Sequence, residues 1–381
     1  MKYENYDYVV IGLGSIGSMA LWQLSERVGK DTRVLGLEQF ARLHPYGSYA
    51  GESRLFRMAL KEGPEYIELV KRSRELYLRL NELSGRDVFL SIGALSIGPK
   101  EHENMRITEQ VISEFSLESE TIEGADLKDR FPQFAFNDDD YGIYDPLGGG
   151  IRPELAVFTA QEQALANGAE IVDNTPITSV HQLDDGVEIV TDTATIHANK
   201  VICAAGSWTP QLLPELADRV RVERLVLTWY VPSDIDRFSP SSMPVFMRDT
   251  YLDDGTFSHT FGAPSLDGYS VKVTIEPDDP AFERVDDTPT GVSTDFMAQS
   301  NREVAASMPA LAAGSPRATV HHDGYTADGT PIIETTGDIT VLAGMSGRGM
   351  KFAPVYGQLG AQLALGETPD LRPAQRTSCH V

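Results

Sequence analysis

The 381-residue sequence predicts an α/β (α+β) fold. One parallel-sheet domain of nucleotide-binding type is interrupted by a second, mixed-sheet domain. Three observations predict it. A short apolar run, Tyr8 to Ile11, ends in Gly12-x-Gly14-x-x-Gly17 and opens a helical stretch. A second strand, Arg33 to Leu37, follows and ends in the acid Glu38. Segments of the same character return at Pro153–Trp208 and after Ile339, with strand-rich stretches of another kind between them.

Each part of the first unit has a physical reason. The apolar run reads as a strand buried on both faces. Gly12 permits the tight turn, Gly14 leaves room for a pyrophosphate, and Gly17 lets helix and strand pack closely. The helix N-terminus then presents free N–H groups and the positive end of its dipole to phosphate. Glu38 accepts hydrogen bonds from a ribose hydroxyl and disfavours a 2′-phosphate. The motif fits NAD or FAD; its place at the N-terminus of a two-domain chain favours FAD.

Farther along, Phe40–Arg57 is expected to be loop-like and then turn helical, with Arg54 and Arg57 on one face. Glu65–Leu83 reads as an amphipathic helix stopped by Gly85. Asp145–Pro153 is a turn cluster leading into helix Pro153–Asn167. Thr195–His197 and Val201–Trp208, the latter a buried strand leaving through Gly206, are expected as separate strands, and Tyr269–Ile275 as an alternating one. Pro354 opens the last helix, which runs to Leu365. The expected boundaries are 1–86, 145–215 and 316–375 for the nucleotide domain, and 87–144 and 216–315 for the substrate domain.

A net charge of −24 argues against partners that need a basic face, so neither nucleic acid nor a membrane is expected. The runs Asp138–Asp140 and Asp253-Asp254 read as loop tips, and no metal is expected. Two cysteines, Cys203 and Cys379, form no disulfide framework. With no signal peptide and no long apolar run, a cytoplasmic protein is expected. Cys203 reads as core rather than nucleophile. His321-His322 fits either a catalytic or a surface pair.

Three cations stand out. Arginine's fork suits a carboxylate, which directs attention to Arg54 and Arg57. Lys351 follows three glycines that let backbone approach a ligand. Lys272 sits alone in an apolar strand, where lysine is unusual.

With these residues in view, the chain resembles the glycine/D-amino-acid oxidase (DAO) family of FAD flavoproteins, in the branch of monomeric sarcosine oxidase and N-methyltryptophan oxidase. The resemblance runs from Tyr8 to about Leu365. It rests on the glycine motif with Glu38, on Gly47-Ser-x-x-Gly-Glu-Ser-Arg54-x-x-Arg57, on Ala205-Gly206-x-Trp208, on Lys272, and on Gly344-x-Ser-Gly347-x-Gly349-x-Lys351.

It implies FAD held by Gly12, Gly14, Ser15, Ile16, Gly17, Glu38, Gln39, Ser48, Arg54, Ile177, Ala205, Gly206, Trp208, Gly344, Gly347, Arg348, Gly349, Met350 and Lys351. Arg57 and Lys351 would hold the substrate carboxylate. Arg54 would lie near the flavin ring and Lys272 would face it where oxygen is reduced. Phe261 and Tyr49 would meet the substrate, with Arg248 and His259 among the side chains that set its substituent.

The departures also inform. Ala50, Phe261 and Glu276 stand where the branch has histidine, tyrosine and histidine, which points away from sarcosine itself. No cysteine lies in Arg317–Asp323, where the branch tethers its flavin, so non-covalent FAD is expected. The expected reaction is oxidation of an N-substituted amino acid, sarcosine- or N-alkylglycine-like, by molecular oxygen. It gives an imine, then a carbonyl product and hydrogen peroxide. The alternatives are a flavin 2-hydroxy-acid dehydrogenase with a non-oxygen acceptor and a non-catalytic flavin-binding subunit. A monomer or small homo-oligomer is expected.

Overall fold

Strand Lys2–Ile11 pairs in parallel with Val34–Leu37 on one side and Ala194–Cys203 on the other. Val9, Val10 and Ile11 are buried on both faces, as a central parallel strand requires. Glu170–Val172 extends the sheet at one end and Ile339–Ala343 at the other. This computed structural model describes residues 2–369 and 371, apart from residue 253. Asp253, Cys379 and the expected C-terminal stretch 372–375 lie outside the described residues. Ala194–Cys203 is one strand rather than two, because the ladder with Lys2–Ile11 continues through its polar middle.

The second sheet has eight strands. In order they are Arg317–Tyr325, Arg221–Tyr230, Val271–Ile275, Phe257–Ala263, Val245–Tyr251, Ala94–Pro99, Asp140–Asp145 and Glu120–Glu123. One face packs on helix Thr294–Ser307 through Phe246, Val271, Val273 and Val304. Directly paired residues share a face. The opposite face therefore carries Lys272 beside Ala263, Phe261 beside Met247, and His259 beside Asp249. Val271–Ile275 is buried at every position rather than alternating.

Three expectations change here. Arg54–Phe56 is a strand, not part of a helix. In a strand, residues three apart point to opposite faces, so Arg54 and Arg57 diverge. The Asp145–Pro153 cluster contains strand Gly149–Ile151, which pairs with both Arg54–Phe56 and Phe89–Leu90. A Cβ on Gly149 would lie 2.1 Å from the Leu90 carbonyl oxygen. That glycine serves close backbone approach rather than a turn.

Third, the last helix spans Gly349–Ala364, with Pro354 inside it. Proline leaves the carbonyl four residues back without its helical donor. The Tyr77 hydroxyl donates to that Met350 carbonyl at 2.5 Å. The next carbonyl, Lys351, accepts from the Ser73 hydroxyl at 2.6 Å. The helix thus continues through its proline because helix Ile67–Ser84 supplies donors.

Candidate active site

The glycine motif builds a cradle by close approach. A Cβ on Gly17 would lie 1.8 Å from the Gly12 carbonyl oxygen. Gly12 itself has φ +80° beside the Ala204 carbonyl. Helix Ser15–Arg27 starts directly at this turn. Glu38 is buried and accepts from Leu13 N at 2.8 Å and Phe40 N at 3.0 Å. It therefore braces both loops of the cradle as well as closing the second strand.

A cavity of about 280 Å³ opens from this cradle. Gly12, Gly14, Ser15, Ile16, Glu38 and Gln39 line it on the first unit. Ser48, Ile177, Ala205, Gly206 and Trp208 line it from the middle of the chain, and Gly344 and Gly349 from the end. Tyr49, expected against the substrate, lines this cavity. It is fully buried, and its hydroxyl accepts from His44 N at 3.0 Å. The acid, the glycine turn and the open helix end all fit a dinucleotide.

Gly17, Arg54, Gly347, Arg348, Met350 and Lys351, also expected to hold the cofactor, are not among the residues that line this cavity. Gly17 packs helix against strand. Gly347 N donates to Asp323 Oδ2 at 2.9 Å, and Arg348 donates to the Tyr66 hydroxyl at 3.1 Å. Asp323 and His322 line the cavity too. Asp323 was not singled out from sequence, and burial raises its pKa. His322 meets Trp208 edge-on, with ring centroids 6.2 Å apart. His321 is buried, hydrogen-bonds Thr319 at 2.8 Å, and is pushed by burial down to about 4. The pair is thus no surface pair.

Lys272 and Arg54 share one loop. The Lys272 ammonium donates to the Gly51 carbonyl at 3.3 Å and to the Ser53 carbonyl. Arg54 donates to the carbonyls of Ser53 and Ser48 at 2.7 Å and of Ala50 at 2.5 Å. Glu154 accepts the loop's N–H groups, from Gly51 at 2.7 Å and Glu52 at 3.2 Å. Burial, then Arg54, lowers the Lys272 pKa; burial takes Arg54 down to about 10.

Arg57 and Lys351 meet at a residue that sequence reading missed. Arg57 Nη2 lies 3.5 Å from Glu62 Oε2, and the Lys351 ammonium is ion-paired with Glu62 Oε1. All three side chains are buried. Burial pushes Glu62 up, but Lys351 and Arg57 outweigh it and hold the carboxyl well below its usual range. Burial lowers Lys351 to about 8 against the opposing pull of Glu62. Lys61 lies in the same field, and burial, then Arg57, lowers it.

Of the side chains expected at the substituent, Arg248 faces away. It pairs with buried Asp140 at 2.8 Å, which removes Asp140 from the expected loop tip. Phe261 and His259 share the Lys272 face. Cys203 is fully buried, and burial pushes its thiol up to about 12.

Residues 7–363 match the family of FAD-dependent oxidoreductases designated DAO. The chain belongs to that family. This oxidoreductase is similar to the monomeric sarcosine oxidase of Streptomyces avermitilis, at 30% identity over 95% of this chain and 94% of that protein. It is also similar to an N-methyl-L-tryptophan oxidase of Salmonella heidelberg, at 28% identity over 97% of each chain. NikD, an unusual amino acid oxidase essential for nikkomycin biosynthesis, shares the fold. Its TM-score is 0.83 at 22% identity, covering 99% of this chain and 100% of that one. No helix among the described residues is long and apolar enough to cross a membrane.

Proposed function

We propose that this FAD-dependent oxidoreductase is an oxidase of amino acids bearing a secondary amine. It converts the CH–NH unit to an imine that water hydrolyses to a carbonyl, with molecular oxygen as acceptor and hydrogen peroxide as co-product. The observation that carries this reading is the clamp of Arg57 and Lys351 around a carboxylate, that of Glu62. A pair of buried cations already spaced on one carboxylate suits another, the α-carboxylate of the substrate. The names of the relatives, oxidases of N-methyl amino acids, support the secondary amine.

Bound FAD supplies the acceptor for a hydride. The chain's own part is positioning. Arg57 and Lys351 fix the carboxylate and so orient the carbon–hydrogen bond next to the amine. Phe261 and Met247 form an apolar floor that keeps the amine neutral, the form that gives up a hydride. Lys272, on the same face, stabilises negative charge as oxygen is reduced. The FAD is held without a covalent bond, so acid precipitation should leave yellow FAD in the supernatant; colour in the pellet would show a link.

The test is anaerobic bleaching of the flavin by matched N-methyl amino acids, amines without carboxylate and 2-hydroxy acids. Bleaching by the first alone, with peroxide formed on readmitting air, is expected. Bleaching by the hydroxy acids instead would favour a 2-hydroxy-acid dehydrogenase, which the same clamp suits. Bleaching by none would leave a flavin-binding subunit.

A further inference from the structure

One rung outward from Phe261, the Lys272 face of the second sheet pairs His259 with Asp249. His259 Nδ1 lies 2.5 Å from Asp249 Oδ1. The other carboxylate oxygen accepts from Asn104 Nδ2 at 2.9 Å and lies 3.5 Å from His102 Nδ1. Burial raises the Asp249 pKa, but the hydrogen bond and charge of His259, then Asn104, bring it down to about 2. In the neutral imidazole, an ionised carboxylate on Nδ1 fixes the N–H there and leaves Nε2 with a lone pair. His259 Nε2 is buried and has no hydrogen-bond partner among the described residues. A buried acceptor in that state calls for a partner.

The place of the pair is informative. Asp249 lines a water-sized void of about 10 Å³ together with Arg57, Lys61, Asn104 and Met247. Through Asp249 the acid–imidazole pair thus adjoins Arg57 of the carboxylate clamp. Met247 and Phe261, one rung inward, are partly exposed, whereas Ala263 and Lys272 on the next rung are buried. Rungs on one face are about 7 Å apart, the reach of an extended side chain of four or five atoms.

We propose that His259 is a specificity-determining residue whose Nε2 accepts a hydrogen bond from the end of the substrate's side chain. This rests on the amino-acid oxidase reading and narrows it. The preferred substrates are amino acids whose side chains end in an N–H or O–H donor, an ammonium included. Asp249 acts through the imidazole as a positioning residue.

Two nearly isosteric probes, N-methyl-lysine and N-methyl-norleucine, differ by that donor. The wild-type holoenzyme should favour the lysine derivative by about ten-fold or more in kcat/KM, mainly through KM. In His259→Leu the ratio should fall towards one through a higher KM for the lysine derivative. His259→Gln keeps an acceptor at similar reach and should restore part of the preference. Asp249→Asn frees the tautomer and should lower the ratio even if the leucine variant does not fold. No preference in the wild type, or a preference that survives in these variants, overturns the proposal. Titration of both probes into oxidised holoenzyme, followed by flavin absorbance, reads the preference without turnover. If neither probe bleaches the flavin yet the lysine derivative binds more tightly and loses that advantage in the variants, the oxidase reading has failed and the His259 assignment stands.

Discussion

Lys272 and Arg54 donate to backbone carbonyls between Ser48 and Ser53, whereas Arg57 and Lys351 share the carboxylate of Glu62. The difference decides what each site can do. A carbonyl satisfies an N–H without cancelling its charge, so the first site keeps its positive field in place. Nothing there has to leave before it acts. The carboxylate of Glu62 cancels charge and fills a seat, so under the proposed function the second site exchanges one carboxylate for another. Burial, then Arg54, lowers the Lys272 pKa against this field, and negative charge forming beside the ammonium favours its charged form.

Lys272→Met should break the first site alone and give the largest effect. Loss of one preorganised electrostatic group costs about a hundred- to a thousand-fold in rate. In stopped flow, reoxidation by oxygen should slow by that order while anaerobic reduction by substrate changes little. A loss confined to the reductive step would mean that Lys272 belongs with the substrate contacts.

Arg57→Ala or Lys351→Ala should break the second site. Charge-assisted hydrogen bonds contribute about 1.5–3 kcal/mol each, or roughly ten- to a hundred-fold in binding. Substrate KM should rise by that factor with flavin content retained. An amine lacking a carboxylate that is oxidised as well as its parent amino acid would refute the clamp.

Acidity separates the two members of the clamp. Burial lowers the Lys351 pKa to about 8. Above that pH its charge is lost, so the Kd of a carboxylate ligand without an amine should rise as pH climbs through about 8. Lys351→Arg stays charged and should flatten the rise. A wild-type profile already flat across this range would place Lys351 away from the ligand.

Glu62→Gln gives the smallest effect on binding and the most direct test of exchange. With the internal carboxylate gone, simple carboxylates should bind several-fold more tightly. Stability should fall at neutral pH, since unpairing a buried ion pair costs about 3–5 kcal/mol. Glu62 is held below its usual range, so its contribution is present above the ordinary carboxylate pKa and is lost as pH falls through the depressed one. The stability gap between wild type and variant should therefore close on acidification. Weaker carboxylate binding in the variant would show that Glu62 orders the clamp rather than fills it.

The legible parts of the sequence were those whose meaning is local. The turn Gly12–Gly17 and its acid need only a strand before and after them. Lys272 was conspicuous because lysine is rare in apolar strands. Glu62 was silent because Lys61-Glu62-Gly63-Pro64 reads as a solvated turn. Only the docking of the last helix carries Lys351 to it. Arg54–Phe56 was misread because a three-residue strand has no periodicity to show. Its partners, Gly149–Ile151 and Phe89–Leu90, are distant in sequence. His259 and Arg248 looked alike as chain text, and register alone sent one to the Lys272 face and the other to the core.

The position of strand Lys2–Ile11 in the middle of its sheet sets a timetable for synthesis. Val34–Leu37 can pair with it soon after it leaves the ribosome. Its other neighbour, Ala194–Cys203, and the helix Gly349–Ala364 that covers Ser15–Arg27 emerge far later. Until then one edge of a strand as apolar as Val9-Val10-Ile11 stays open to wrong partners. The nascent chain carries its glycine turn early but lacks the later segments that line the cavity, so the cavity is complete only once the last of the chain has emerged.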